Sequence, residues 1–377
     1  MERKRIMDIP MINLKAQYKT TKKDIMKNLT EVLSEQRLIL GKYCKTLEEK
    51  ISSYVGVPHA ISCANGTDAL ILSLMALDIR DGDEVITTPF TFFATASSIA
   101  LMGAKPVFVD IKEDDLNIDP ELIARAITKK TKAVIVVHLF GKLCNIEEII
   151  KICNHYNIPV IEDMAQSLGA GREGIKAGGF GDIAALSFYP TKNLGGIGEG
   201  GMVLTKRDDL GIKVRKLRVH GMGDTTYHHE LIGINSRLDE IKAAALVAKL
   251  PYLEKWNKKR IKNARFYNRH LKGLPVILPQ IPRDGSHIFH HYVIRTKNRD
   301  GLQSFLKQKG IQTGIYYPVP LHLQDCFKYL GYKNGSFPVS EVAARTSLAI
   351  PVFPELKKAE KQYIVEMIKL YFHKISS

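Results

Sequence analysis

Through the first 250 residues, short β-branched or apolar runs alternate with stretches whose apolar positions recur at helical spacing. The strand-like runs lie at residues 84–88, 107–109, 133–137, 160–161, 183–188 and 202–204. The run AVIVV at 133–137 is apolar throughout, which predicts a strand covered on both faces. Between these runs, Leu47, Ile51, Tyr54 and Val55 fall on one helical face. Residues 67–77 predict a second helix, and residues 120–128 a third with Pro120 in its first turn. This alternation predicts an α/β fold with a mainly parallel central sheet. Beyond Pro251 the pattern changes. A long polar helix over about 252–272 leads to HYVIR at 291–295, which reads as a strand, and to helical stretches at 301–309 and 356–373. The chain thus divides into a large domain, residues 1–250 including the N-terminal segment, and a smaller C-terminal α+β domain, residues 251–377.

Composition narrows the setting. No apolar run approaches the roughly 20 residues of a bilayer span, and the basic N-terminus has no apolar segment like that of a signal peptide. These features predict a cytoplasmic protein with no membrane partner. The five cysteines, Cys44, Cys63, Cys144, Cys153 and Cys326, are odd in number and contain no CxxC pair. Reduced thiols, and no metal site, are the expectation. The net charge of +16 favours anionic partners: nucleic acid, phosphorylated metabolites or acidic substrates. The one local concentration of basic residues, KWNKKRIKNARFYNRH at 255–270, reads as a solvated helix face. No nucleic-acid motif accompanies it, so no nucleic-acid partner is expected.

The segment SFYPTKNLGGIGEGG at 187–201 carries the most chemistry. It follows a strand and sets one lysine, Lys192, in a glycine-rich loop where backbone can approach a bulky ligand. A desolvated lysine there loses pKa and becomes a nucleophile toward carbonyls. A solvated lysine in a surface loop would have the same sequence. The strand VIED at 160–163 supplies the second feature, Asp163. Ligands of open α/β sheets bind at the carboxyl ends of the strands, so Asp163 and Lys192 can face one crevice. Pyridoxal 5'-phosphate needs such a pair: an amine to hold its aldehyde as a Schiff base and an acid to keep its pyridine nitrogen protonated. Taken alone, Asp163 also suits a helix cap or turn. In CANGTDALILSLMAL at 63–77, Asn65 and Gly66 form a turn and Thr67 opens an apolar helix, an anion site fit for the phosphate. Capping alone would explain the same residues. In TPFTFFATA at 88–96 an aromatic ring could stack on the cofactor, while at least two of Phe90, Phe92 and Phe93 are expected in the core.

Taken in order, GTDAL, TFFAT, EDMAQ, SFYPTKN, GEGG, GINSRLDE and YYPVPLHLQ resemble the DegT/StrS-type nucleotide-sugar aminotransferases, members of the fold type I pyridoxal-phosphate enzymes. The resemblance runs from about residue 12 to 324. It implies Lys192 as the Schiff-base lysine and Asp163 as partner of the pyridine nitrogen. It implies Gln166 near the cofactor's 3'-hydroxyl, Phe92 packed on the ring, and Gly66, Thr67 and Ser187 as phosphate ligands. It implies that Asn235 reaches the phosphate of the neighbouring subunit, hence a homodimer with shared active sites. The implied reaction is transamination of a nucleotide-linked keto sugar in amino-sugar biosynthesis, with L-glutamate as donor and 2-oxoglutarate as product. FYP-x-KNLG and YYPVPLH resemble members that aminate C3 rather than C4. Tyr317 and His322 become candidate sugar contacts, and Arg237 a candidate for a substrate carboxylate. A dehydratase and a regulatory pyridoxal-phosphate-binding protein are the alternatives, and retention of Lys192 favours the transaminase.

Overall fold

The computed structural model describes residues 7–376. Two helices, α1 (Leu14–Glu35) and α2 (Lys42–Val55), lead into β1 (His59–Cys63). The chain then runs through α3 (Gly66–Ala76), β2 (Glu84–Thr87), α4 (Phe93–Leu101), β3 (Lys105–Phe108), α5 (Pro120–Ala126), β4 (Thr131–Val137), α6 (Ile146–His155) and β5 (Val160–Asp163). A small hairpin, β6 (Gly171–Arg172) and β7 (Ile175–Lys176), precedes β8 (Ile183–Ser187) and β9 (Gly201–Thr205). Helices α7 (Asp208–Leu217), α8 (Glu240–Lys249) and α9 (Leu253–Leu271) follow. The remainder comprises β10 (Tyr292–Arg295), α10 (Arg299–Gln308), α11 (Pro338–Thr346), β11 (Ser347–Ile350) and α12 (Lys358–Ser376).

Seven strands form one sheet in the order β1-β9-β8-β5-β4-β2-β3. The pairs from β3 through β8 are parallel, while β9 runs antiparallel to β8 and β1. The sheet is mainly parallel, and the strands expected in the first 250 residues all occur in it. The unexpected strand is β1, whose HAISC reads as neither alternation nor a long apolar run. Strand side chains alternate between faces, and here each face meets its own apolar layer. Val134, Val136, Val160, Ala184 and Leu186 pack on one side with α2, α5, α6 and α8. Ala133, Ile135, Ile161, Ile183 and Ala185 pack on the other with α3, α4 and α7. Burying one such Val, Leu or Ile contributes about 1.5–3 kcal/mol, which holds the strand register.

A separate cluster joins α9, α10 and α12 with β10 and β11, which pair antiparallel. Ile9 belongs to this cluster, is fully buried and bridges in parallel to Ile311. Ile9 therefore packs with C-terminal residues, because its backbone pairs with the 310–312 segment, while Met11 packs where Phe90 and Phe140 meet Val293 and Ala349. On α9, Trp256, Asn257, Arg260, Asn263, Ala264 and Tyr267 form the buried stripe. Lys255, Lys258, Lys259 and Lys262 face solvent, as the charge pattern suggests. All five cysteines are free. Among the described residues no helix is long and apolar enough to cross a membrane.

Candidate active site

The carboxyl ends of β5 and β8 build the site. Asp163 is the last residue of β5, pairs with Ala185 of β8, and shares the face of Ile161 that α3 and α4 cover. The preceding carboxylate, Glu162, points the opposite way by the strand's two-residue period. There it accepts from the amides of Gly178, Phe180 and Gly181 at 2.8, 2.8 and 2.6 Å and lies 2.8 Å from His138 Nε2, both side chains fully buried. The two acids of VIED thus separate: Glu162 holds the turn before β8, and Asp163 faces the crevice.

Asp163 is held firmly. Thr95, in the first turn of α4, donates to its Oδ2 at 2.8 Å, and the amide of Ala165 donates to Oδ1 at 3.2 Å. Burial raises its pKa above the ordinary carboxylate value, while Thr95, the Ala165 amide and the charge of Lys192 pull it back. Lys192 shows the converse. Burial lowers its pKa from 10.5 to about 8, against the opposing pull of Asp163. Among the described residues its amine has no hydrogen-bond or ion-pair partner. The loop that carries it is closed by Lys192 N donating to the Tyr189 carbonyl at 2.8 Å and Gly196 N to the Phe188 carbonyl at 2.7 Å. A Cβ at Gly195 would lie 2.0 Å from the Pro190 carbonyl oxygen, so this turn requires glycine.

A cradle lies beside it. Helix α3 begins at Gly66, one residue earlier than expected, because Asn65 is its cap and accepts from Asp68 N at 2.8 Å. The amides of Gly66 and Thr67 lie in the first turn, where no intrahelical acceptor exists. A Cβ on Gly66 would lie 2.7 Å from Ser187 Cβ, so only glycine lets the helix start approach the end of β8. Gly66 and Thr67 thereby meet Ser187, about 120 residues further along the chain, at a helix start whose dipole favours negative charge.

Further candidates gather around Gln166. Its Nε2 donates to the Tyr317 hydroxyl at 3.1 Å, and its Oε1 accepts from Phe140 N at 2.7 Å. Phe92 lies 6.1 Å from the Tyr317 ring and is 56% exposed, a face open to a ligand. Of the three phenylalanines only Phe90 is buried; Phe93 is 42% exposed, so the expectation of two in the core is not met. Asn235 and Arg237 meet each other, Arg237 Nε donating to Asn235 Oδ1 at 3.0 Å. Ser236 between them donates to Asp68 of α3 at 2.7 Å. His322 departs from expectation. It is 1% exposed, with Nε2 3.1 Å from Glu341 and its ring against Phe337. A ring enclosed in this way offers no surface to a sugar. Sequence reasoning passed over Thr95, although its four-residue spacing from Thr91 in TFFAT was visible, and it passed over Asn193, His290 and His291. The doublet of His290 and His291, the latter opening HYVIR, was the signal for the last two.

Pyridoxal phosphate makes three demands: an amine for its aldehyde, an acid for its ring nitrogen and donors for its phosphate. Each has a counterpart at this end of the sheet, so the residues present fit the group. Fold and crevice together define a pyridoxal-phosphate-dependent aminotransferase.

Comparison supplies the family. Residues 19–369 match the model of the DegT/DnrJ/EryC1/StrS aminotransferase family, and the chain belongs to that family. It is 49% identical over 369 residues to a pleiotropic regulatory protein of Geobacillus stearothermophilus, covering 97% of this chain and 99% of that one. It is 41% identical over 365 residues to UDP-N-acetyl-3-dehydro-alpha-D-glucosamine 3-aminotransferase of Acidithiobacillus ferrooxidans, covering 97% and 98%. Among solved structures it is similar to NtdA of Bacillus subtilis with bound PMP, with TM-score 0.91 and 30% identity, covering 99% of this chain and 87% of that one.

Proposed function

We propose that this aminotransferase moves the amino group of L-glutamate to C3 of a nucleotide-linked 3-keto sugar, releasing 2-oxoglutarate and an amino sugar. The observation that carries the proposal is the pairing of a lysine of pKa about 8 with a buried acid at adjacent strand ends. The name of the Acidithiobacillus relative, a 3-aminotransferase acting on a UDP sugar, supports the position and the substrate class.

In this reading Lys192 would hold the cofactor covalently at rest, and its amine, freed when the donor's amino group takes its place, would carry the proton to and from the substrate's α-carbon. A positioned acid–base group of this kind contributes about 10²–10⁴-fold. Pyridoxal phosphate, when bound, supplies an electron sink for the electron pair left by that proton. Asp163, oriented by Thr95, keeps a proton at the ring nitrogen. Gly66, Thr67 and Ser187 hold the phosphate, Gln166 orients the 3'-hydroxyl, and Phe92 covers the ring. Tyr317, hydrogen-bonded to Gln166, meets the sugar, and Arg237 a substrate carboxylate. Asn235 serves the phosphate of a second copy, so the working form is a homodimer. Tyr227 at 89% and Ile232 at 93% exposure, on the segment leading to Asn235, are apolar side chains suited to such an interface.

The test is incubation with glutamate and a panel of 3-keto and 4-keto UDP-, dTDP- and GDP-sugars, read by mass. The 3-keto sugars should yield amino sugar stoichiometric with 2-oxoglutarate. Amination of the 4-keto panel alone would refute the C3 position. Cofactor binding without turnover of any sugar would favour a regulatory role, the second reading suggested by the Geobacillus relative's name.

A further inference from the structure

Behind the loop that carries Lys192 runs a chain of buried side chains that the contacts above do not use. The Leu168 carbonyl, in the turn after Gln166, accepts from Asn257 Nδ2 at 3.0 Å. Asn257 Oδ1 accepts from Asn193 Nδ2 at 2.7 Å. Asn193 Oδ1 lies 2.8 Å from His290 Nδ1. Asn193, Asn257 and His290 are only 4%, 3% and 5% exposed.

The direction of every link follows from its first acceptor. A carbonyl can only accept, so Asn257 presents its NH₂ to Leu168 and its oxygen to Asn193. Asn193 then gives its NH₂ to Asn257 and keeps its oxygen for the histidine. His290 must therefore be the donor through Nδ1–H. Burial keeps the ring neutral, its pKa pushed well below 6.5, with neighbouring His291, Lys192 and Arg260 acting in the same direction. Arg260 fixes the backbone of the same residue, donating to the His290 carbonyl at 3.1 Å. One turn further along the loop, the Lys249 ammonium hydrogen-bonds the Gly195 carbonyl. The relay thus joins four parts distant in sequence: the turn after β5 that follows Gln166, helix α9, the loop that carries Lys192, and the lead-in to β10. Asn193 sits in its middle and is bonded directly to Lys192 along the chain.

We propose that Asn193 is a positioning residue for Lys192, and that the Leu168–Asn257–Asn193–His290 relay sets where the lysine amine stands relative to Asp163. The inference rests on reading Lys192 as the cofactor-binding lysine. Cut the relay and the loop retains its turn hydrogen bonds and glycines, but the amine loses its fixed pose and its depth of burial.

The experiment measures, for each variant stripped of cofactor, the rate at which added pyridoxal phosphate acquires the visible band of the lysine-bound form, as a function of pH, together with the melting temperature. Asn193→Leu removes the link without adding charge, and His290→Phe cuts the outer link if the first variant folds poorly. His290→Asn retains an N–H donor near the position of Nδ1. Asn263→Ala is the control: Asn263 is equally buried on α9 but donates to the Val352 and Phe353 carbonyls, outside the relay. We expect Asn193→Leu and His290→Phe to slow capture at pH 7 about tenfold or more and to move the pH midpoint by about one unit, a tenfold change in equilibrium. His290→Asn should stay within about threefold of the native rate, and Asn263→Ala should lower the melting temperature without moving the midpoint. Relay variants with native midpoint and rate, or a control that shifts them equally, would overturn the proposal. A native band that survived Lys192→Ala would instead overturn the reading of Lys192, and this inference with it.

Discussion

Burial brings the Lys192 ammonium from 10.5 to about 8, and this shift sets how fast a cofactor-free protein takes up pyridoxal phosphate. Only the neutral amine attacks a carbonyl. At pH 7 roughly one amine in eleven is neutral at a pKa of 8, against about one in three thousand at 10.5, a gain of about 300-fold. The capture rate should therefore rise about tenfold per pH unit below 8 and flatten above it. Asp163 opposes the shift by favouring the charged amine, so Asp163→Asn should move the midpoint further down. Stability responds in a defined direction as well. The folded pKa lies below the unfolded one, so the buried ammonium costs stability in full below pH 8, and the cost fades as pH rises toward the unfolded value. Lys192→Met should stabilise the cofactor-free protein at pH 7 by on the order of 1–3 kcal/mol, discounted for the side chain's partial exposure, and by less at pH 10. Stopped-flow absorbance gives the first profile and chemical denaturation at two pH values the second. A midpoint near 10, or an upward shift in Asp163→Asn, would refute the desolvation argument.

Gly66→Ala places a methyl group 2.7 Å from Ser187 Cβ; equilibrium titration should show pyridoxal-phosphate affinity reduced about tenfold or more, as a filled cradle requires. The two neighbouring acids should separate cleanly: Glu162→Gln should cost about 1–3 kcal/mol in denaturation while retaining the lysine-bound band, since it weakens the acceptor of three buried amides. Asp163→Asn should remain folded and lose turnover by about 10²–10⁴-fold. Thr95→Val removes the donor to Asp163 Oδ2, raises that carboxyl's pKa further, and should cost about 1.5–3 kcal/mol at neutral pH. Melting curves should show the deficit shrinking as pH falls and the carboxyl protonates.

Much of this architecture is legible residue by residue. Continuous apolar runs such as AVIVV suit strands shielded on both faces, whereas the change of pattern after Pro251 comes well after the last strand of the sheet, which ends at Thr205. Lys192 in its glycine loop and Asp163 at a strand end announce the chemistry, because few other arrangements call for that pair. The short β1 is not legible: HAISC gains its strand character from pairing with β9, a contact about 140 residues away. His322 misleads for the opposite reason. Its motif lies in the chain near Tyr317, yet the turn of the backbone sends one side chain to Gln166 and the other into the packing around Phe337.

What sequence alone determined was periodicity and residue type: which stretches are strands and helices, that a lysine, an acid and a helix start of the right kind exist, and that the whole resembles an aminotransferase. Sequence already singled out Asp163 of VIED, but where its neighbour Glu162 goes is tertiary: strand alternation sends it to the opposite face, and only the packed elements supply His138 and the amides of Gly178, Phe180 and Gly181 that hold it there. The lowered pKa of Lys192 is likewise tertiary, since desolvation depends on what surrounds an amine and not on what precedes it. The Asn193–His290 link is the extreme case. Two polar residues 97 positions apart acquire meaning only when the C-terminal segment closes over the loop and leaves their hydrogen bonds no water to turn to.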